Sequence, residues 1–145
     1  IKQGLMQELF TKGIDENGKI RDEKTHRFKD SPLGRIPEEW EVVRLGDREY
    51  FELAMGQSPP SESYNKYGIG VPFLQGKAEF GSIYPSAVQY TTKPFKLAQE
   101  GSILISVRAP VGDVNIANRT YCIGRGLAAV LPHSRKVNNF YIFVI

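Results

Sequence analysis

Five polar side chains sit at the joints of one glycine-rich stretch, GSILISVRAPVGDVNIANRTYCIGRGLAAVLP over residues 101–132: Arg108, Asp113, Asn115, Arg119 and Arg125. Three arginines and an asparagine donate hydrogen bonds to anions and to polar edges, so the chemistry they offer is binding. Bond-making chemistry finds little support in the chain. His26 and His133 lie far apart, and neither has zinc-ligand spacing to Cys122, the single cysteine. His26 reads as a solvated loop residue. There is no GxxxxGK[ST] phosphate loop, no GxSxG nucleophile turn and no Asn/Asp-Pro-Pro-aromatic motif of an adenine methyltransferase. A metal-dependent nuclease needs clustered carboxylates. Residues 51–145 offer only Glu52, Glu62, Glu79, Glu100 and Asp113, without a pairing pattern. These residues point to a binding module with no metal or cofactor of its own, rather than to an enzyme.

Such side chains need a rigid frame. Ile103 to Val107 is a β-branched run between Gly101-Ser102 and Ala109-Pro110, the pattern of a buried strand. Val111-Gly112-Asp113 turns the chain, and Val114 to Ala117 alternates as a second strand. Gly124-Arg125-Gly126 leads into a third apolar run, Leu127 to Leu131. A second polar region, GQSPPSESYNKYG over residues 56–68, precedes a short strand at Val71 to Leu74 that closes on Gln75-Gly76-Lys77. Tyr64 and Tyr67 with Lys66 make this loop able to contact phosphates, stack and donate hydrogen bonds. The segment Tyr84 to Phe95 adds a further strand or loop. Upstream, Leu45-Gly46-Asp47 predicts a short helix over Arg48 to Ala54 with Asp47 as its cap.

At the N-terminus, Ile1, Leu5 and Leu9 fall four apart with Met6 and Phe10 beside them. Ile1 to Thr11 therefore reads as a helical stripe that stops near Gly13. Asp15 to Asp30 is charged and poor in apolar residues, and is expected to be a linker with a turn at Asn17-Gly18. Ser31 to Trp40 contains two prolines and a glycine, which set an extended, turning path anchored by Ile36 and Trp40. Ile1 and the apolar run Phe140 to Ile145 are expected to be cut ends of a longer chain.

Composition is that of a globular protein, 41% hydrophobic and 24% charged. No apolar run approaches the ~18 residues of a membrane span, nothing resembles a signal peptide, and one cysteine fits a reducing cytoplasm. The net charge of +3 is unevenly spread. Residues 1–50 hold ten Lys and Arg against eleven Asp and Glu, whereas residues 51–145 hold nine against five. The cationic excess lies in the glycine-rich half, where phosphate contacts would be wanted.

The runs ILISVRAPVGDVNIA and CIGRGLAAV resemble the target recognition domain of type I restriction–modification specificity subunits. SPLGRIPEEW resembles the entry to such domains. GQSPPSESY and VPFLQG resemble the same family, and IKQGLMQELFTKGI is similar to the end of its conserved spacer helix. The resemblance implies an α+β fold with a small, twisted, mainly antiparallel sheet and short helices. It implies the end of a spacer helix at 1–14, a linker at 15–30 and a DNA target recognition domain at 31–145, truncated at its C-terminal end. The function implied is non-catalytic, sequence-specific recognition of double-stranded DNA in host defence. Methyltransferase subunits using S-adenosylmethionine and a restriction/translocase subunit using ATP and Mg would be partners. So would a second recognition domain and spacer helix of the full-length subunit. Candidate DNA contacts are Gln57, Ser58, Tyr64, Asn65, Lys66, Gln75, Lys77, Arg108, Asn115, Arg119 and Arg125. Arg108 and Arg125 hold family-typical positions, which suits a role in holding the fold together as well, while Tyr64 to Lys66 fall in a variable loop better suited to reading sequence. Two alternatives stay open: a protein-docking scaffold in the same complex, and the recognition domain of a fused methyltransferase–nuclease.

Overall fold

A computed structural model describes residues 2–133, which fall into two compact units divided between Arg44 and Leu45. The expectations about Ile1 and about Phe140 to Ile145 lie outside the described residues. In the first unit, helix α1 (Lys2–Lys12) ends at Gly13, whose φ of 65° is the left-handed conformation of a C-terminal glycine stop. Leu5 and Met6 of its apolar stripe remain exposed. Residues 15–30 carry local order of their own. Asp15 Oδ1 accepts the backbone N–H groups of Asn17 and Lys19, each at 2.9 Å, and Ile14 bridges to Ile20. Strands β1 (Phe28–Ser31) and β2 (Gly34–Pro37) form an antiparallel hairpin. Arg21 pairs with Glu39 at 2.8 Å and donates to the Lys12 carbonyl at 3.2 Å. Polar turns and ion pairs supply this order, so apolar periodicity gives no sign of it. Trp40 packs on Gly13, where an added Cβ would lie 2.6 Å from the indole Cζ2. That is the anchoring role expected of it.

The second unit contains β3 (Phe51–Met55), β4 (Tyr64–Asn65), β5 (Val71–Leu74), β6 (Gln89–Thr91), β7 (Leu97–Ala98), β8 (Ile103–Ser106), β9 (Val114–Ile116), β10 (Tyr121–Ile123) and β11 (Leu127–Pro132). Two sheets result, with strand orders β4-β6-β5-β10-β7 and β3-β11-β8-β9. Among the described residues every pairing in these sheets is antiparallel except β5 with β10, which set Phe73 opposite Cys122 and Leu74 opposite Ile123. Leu74, Ala98, Tyr121 and Ile123 from one sheet meet Leu104, Leu127 and Ala129 from the other in a shared core. With helix α1 this is the α+β fold that the resemblance implied.

The helix expected over Arg48 to Ala54 is absent. Asp47 does accept the Glu49 amide at 3.0 Å, but only one turn follows, with the Tyr50 and Phe51 amides on the Asp47 carbonyl. From Phe51 the chain is strand β3, paired with β11 from Phe51↔Pro132 to Met55↔Ala128. Phe51, Leu53 and Met55 recur at period two, and pairing with an already apolar strand outweighs a local cap.

Candidate nucleic-acid interface

Strands β5, β8 and β10 end at Leu74, Ser106 and Ile123, and the residues just beyond them converge. Gln75, Lys77, Arg108 and Arg125 line one pocket of about 340 Å³ with Glu79 and Gly126 among its other walls. The segment leaving β3 runs alongside. The Gln57 amide donates to the Ile123 carbonyl at 3.0 Å, and Ser58 Oγ accepts the Arg125 amide at 3.3 Å. Six of the eleven sequence candidates thus gather at these strand ends.

Two devices hold the arginines in place. The first is Ser106, which braces the loop carrying Arg108. Its Oγ donates to the Pro110 carbonyl at 3.0 Å and accepts the Asp113 amide at 3.0 Å. Its own amide donates to the Asp113 carbonyl at 2.9 Å, and its carbonyl accepts the Gly112 amide at 3.0 Å. Gly112 closes that loop at φ 101°, a conformation that disfavours any side chain. The second device is Gly-Arg-Gly. A Cβ at Gly126 would lie 2.8 Å from the Gln75 carbonyl oxygen, and one at Gly124 would lie 3.1 Å from that oxygen and from Ser58 Oγ. Only bare backbone lets these segments pack so closely, and Arg125 projects from between the two glycines.

Charge at the pocket is not uniform. Lys77 Nζ is held by Asp113 Oδ2 at 2.8 Å, and Glu79 Oε2 accepts the Gly76 amide at 3.2 Å. Arg108 and Arg125 are exposed, and among the described residues neither guanidinium has an ion pair or hydrogen bond. Two exposed guanidinium groups on a braced backbone, with Gln75 beside them, have the chemistry to bind an anion.

The other five candidates are placed differently. Asn115 is 1% exposed. Its Oδ1 accepts the Gly81 amide at 3.0 Å, and its Nδ2 donates to the carbonyls of Gly81 at 3.0 Å and Val114 at 2.8 Å. It clamps two segments together and presents nothing to a ligand, which corrects its assignment as a contact. Tyr64 is half-buried, its ring 4.9 Å from that of Phe73, and its hydroxyl donates to the Pro59 carbonyl at 2.9 Å. Burial raises its pKa, so it stays a donor. The Asn65 amide is taken up by its own loop: Oδ1 accepts from Tyr67 and Ile69 at 3.1 Å each, and Nδ2 donates to the Ile69 carbonyl at 2.8 Å. Lys66 is exposed. Arg119 lies over the Tyr121 ring, 5.6 Å from its centroid. Hydrogen bonding to Tyr121 and then Tyr90 holds it still more firmly charged. Arg119 precedes β10 and Arg125 follows it, so these two cations mark opposite ends of one strand. Six residues of extended chain span at most ~20 Å, within the footprint of one duplex.

Ser106 was not among the candidates, although it stands in the SVRAPVG run that carries the resemblance. A serine two residues before an arginine signals a loop brace only when the loop's return point, Asp113, is known. Among the described residues there is no group of three His, Cys, Asp or Glu side chains able to hold a metal, and no helix long and apolar enough to cross a membrane.

Comparison with known proteins gives this geometry a context. The family model described as the type I restriction modification DNA specificity domain matches residues 37–145. A putative type I restriction enzyme MjaX specificity subunit of Methanocaldococcus jannaschii is 59% identical over 142 residues, covering 98% of this chain and 32% of that protein. The crystal structure of the HsdS subunit from Thermoanaerobacter tengcongensis superposes with a TM-score of 0.71 at 48% identity, covering 79% of this chain and 28% of the other. A structure of complex assembly and conformational transition in the type I R-M system gives a TM-score of 0.71 at 45% identity, covering 82% and 29%. The chain therefore spans about a third of the length of these relatives.

Proposed function

Because this chain belongs to the type I restriction modification DNA specificity family, we propose that it is a recognition module reading one half of a bipartite double-stranded DNA target. The observation that carries this reading is the convergence of Arg108 and Arg125 on one pocket with Gln75 and Lys77, which come from a separate stretch of the sequence. Guanidinium groups neutralise phosphates and can read guanine, and a glutamine amide can read adenine. Base reading would be worth ~1–3 kcal/mol of discrimination per good contact. Residues 31–145 are assigned to the recognition domain, 15–30 to a connection and 1–14 to the end of a spacer helix. The exposed Leu5 and Met6 of α1 favour a docking role for that helix alongside DNA binding by the second unit.

In this reading the chain catalyses nothing. Methylation falls to partner subunits that use S-adenosylmethionine, and restriction falls to an ATP- and Mg-dependent translocase subunit. All of them work with the full-length specificity subunit in the cytoplasm. The test is duplex binding by the full-length subunit with its methyltransferase partners, across a salt titration. Two arginine–phosphate contacts alone predict that log K falls by about 1.8 per decade of salt. Binding that does not respond to salt would contradict the reading.

A further inference from the structure

Among the described residues, Tyr67 is the most exposed of the large apolar or aromatic side chains, at 87%. It stands on the short loop between β4 and β5, and that loop is built rather than loose. Asn65 accepts the amides of Tyr67 and Ile69 and donates to the Ile69 carbonyl. Gly68 and Gly70 take φ values of 78° and 89°, and a Cβ at Gly70 would come 2.2 Å from the Thr91 carbonyl oxygen. The backbone is thus fixed while its larger side chains, Lys66, Tyr67 and Ile69, all face water. Folding gains nothing from holding a tyrosine ring in solvent. A fixed loop that presents an aromatic ring, an aliphatic side chain and a cation is suited to an occupant that has both apolar faces and negative charge.

Resting on the DNA-recognition reading above, we propose that Tyr67 packs as a wedge against a base step of the bound duplex, with Ile69 beside it and Lys66 on the flanking phosphate. Bases offer sequence-tolerant faces to an aromatic ring, and apolar wedges at base steps are an established way of deforming a duplex. Charge favours nucleic acid over a protein partner. Lysine is depleted at protein interfaces but binds phosphate well. A second cation, Arg119, stands over the ring of Tyr121 in the same sheet, with Tyr90, the register partner of Asn65, adding to the hold on its charge. The one acid on the approach to the loop is Glu62, in the preceding 3-10 turn at Ser61–Ser63.

The experiment uses the full-length subunit assembled with its methyltransferase subunits. The probes are duplexes of the methylated sequence carrying 5-iodouracil at successive positions, which photo-crosslinks to a stacked aromatic ring. The expected result is a crosslink to Tyr67 at one or two adjacent positions. Tyr67→Ala should remove it and weaken specific binding about 5- to 150-fold. Tyr67→Phe should keep both crosslink and affinity, and neither variant should change the salt slope, since no charge is lost. Tyr67→Ala binding with wild-type affinity and no crosslink at Tyr67 in the wild type would overturn the inference and leave the DNA-recognition reading standing. Failure of Tyr67→Ala to assemble with the methyltransferase subunits would also overturn it, by showing that the ring docks on protein. Absence of sequence-specific binding by the wild-type complex would defeat both. Loss of fold is not expected, because the loop is held by Asn65 and by the backbone rather than by the tyrosine ring.

Discussion

Replacing Arg125 and Arg108 by alanine, singly and together, separates phosphate binding from architecture. Both side chains are exposed and free of ion pairs among the described residues. Arg125 contributes to the fold through its amide, which donates to Ser58 Oγ and survives the substitution. Stability should therefore change by no more than ~0.5 kcal/mol, as for ordinary surface positions. Binding should change far more. A hydrogen bond to a charged group is worth roughly 1.5–3 kcal/mol, so each variant should bind duplex DNA about 10- to 150-fold more weakly at low salt. Each lost phosphate contact should also flatten the salt dependence by about 0.9, and the double variant by about 1.8. The assay is equilibrium binding of the assembled complex to a duplex between roughly 50 and 200 mM salt, with Tm measured on the same samples. Variants with unchanged Tm, affinity and slope would refute the assignment of these arginines to phosphate.

Three further outcomes follow from the geometry. Asp113→Asn removes the partner of Lys77 while keeping the backbone bonds to Ser106, so nonspecific duplex affinity should rise by about 1.5- to 5-fold, the scale of an exposed ion pair; weaker binding would show that Asp113 orients the site. Asn115→Ala leaves the Gly81 groups without their partner and should cost about 1–3 kcal/mol by denaturant titration, while its salt slope stays at the wild-type value. Cys122, fully buried and with its thiol pKa raised by that burial, should react with a thiol reagent only after unfolding; fast labelling of the native chain would contradict its placement in β10.

Legibility of the fold followed the apolar patterns. Ile103–Ser106, Val114–Ile116, Leu127–Pro132 and Val71–Leu74 could be read because β-branched runs between glycine joints carry their own signal. Strand β3 could not, because Asp47 is a good cap and FELAM holds residues that suit a helix; its strand state comes from β11, some 75 residues away. The hairpin of the first unit was hidden for the opposite reason, since its turn is set by Ser31 and Gly34, and the segment before it by Asp15 and Arg21, rather than by an apolar stripe. The site was legible as a set of residue types but not as a grouping. Residue type alone placed Asn115 beside Arg108 as a contact, and only tertiary structure shows one amide turned inward and one guanidinium exposed. The parallel pairing of β5 with β10, which brings Gln75 next to the Gly-Arg-Gly turn, joins segments about 50 residues apart and leaves no local trace.

A segment exchange decides whether this chain reads DNA. The recognition domain containing residues 31–145 would replace the matching domain of a well-behaved specificity subunit, and methylated sites would be mapped genome-wide. Recognition by this domain predicts that one half of the methylated sequence changes while the other half is kept, the new half being its target. A complex that assembles and still methylates the old sequence in full would contradict it and leave protein docking as the function of the module.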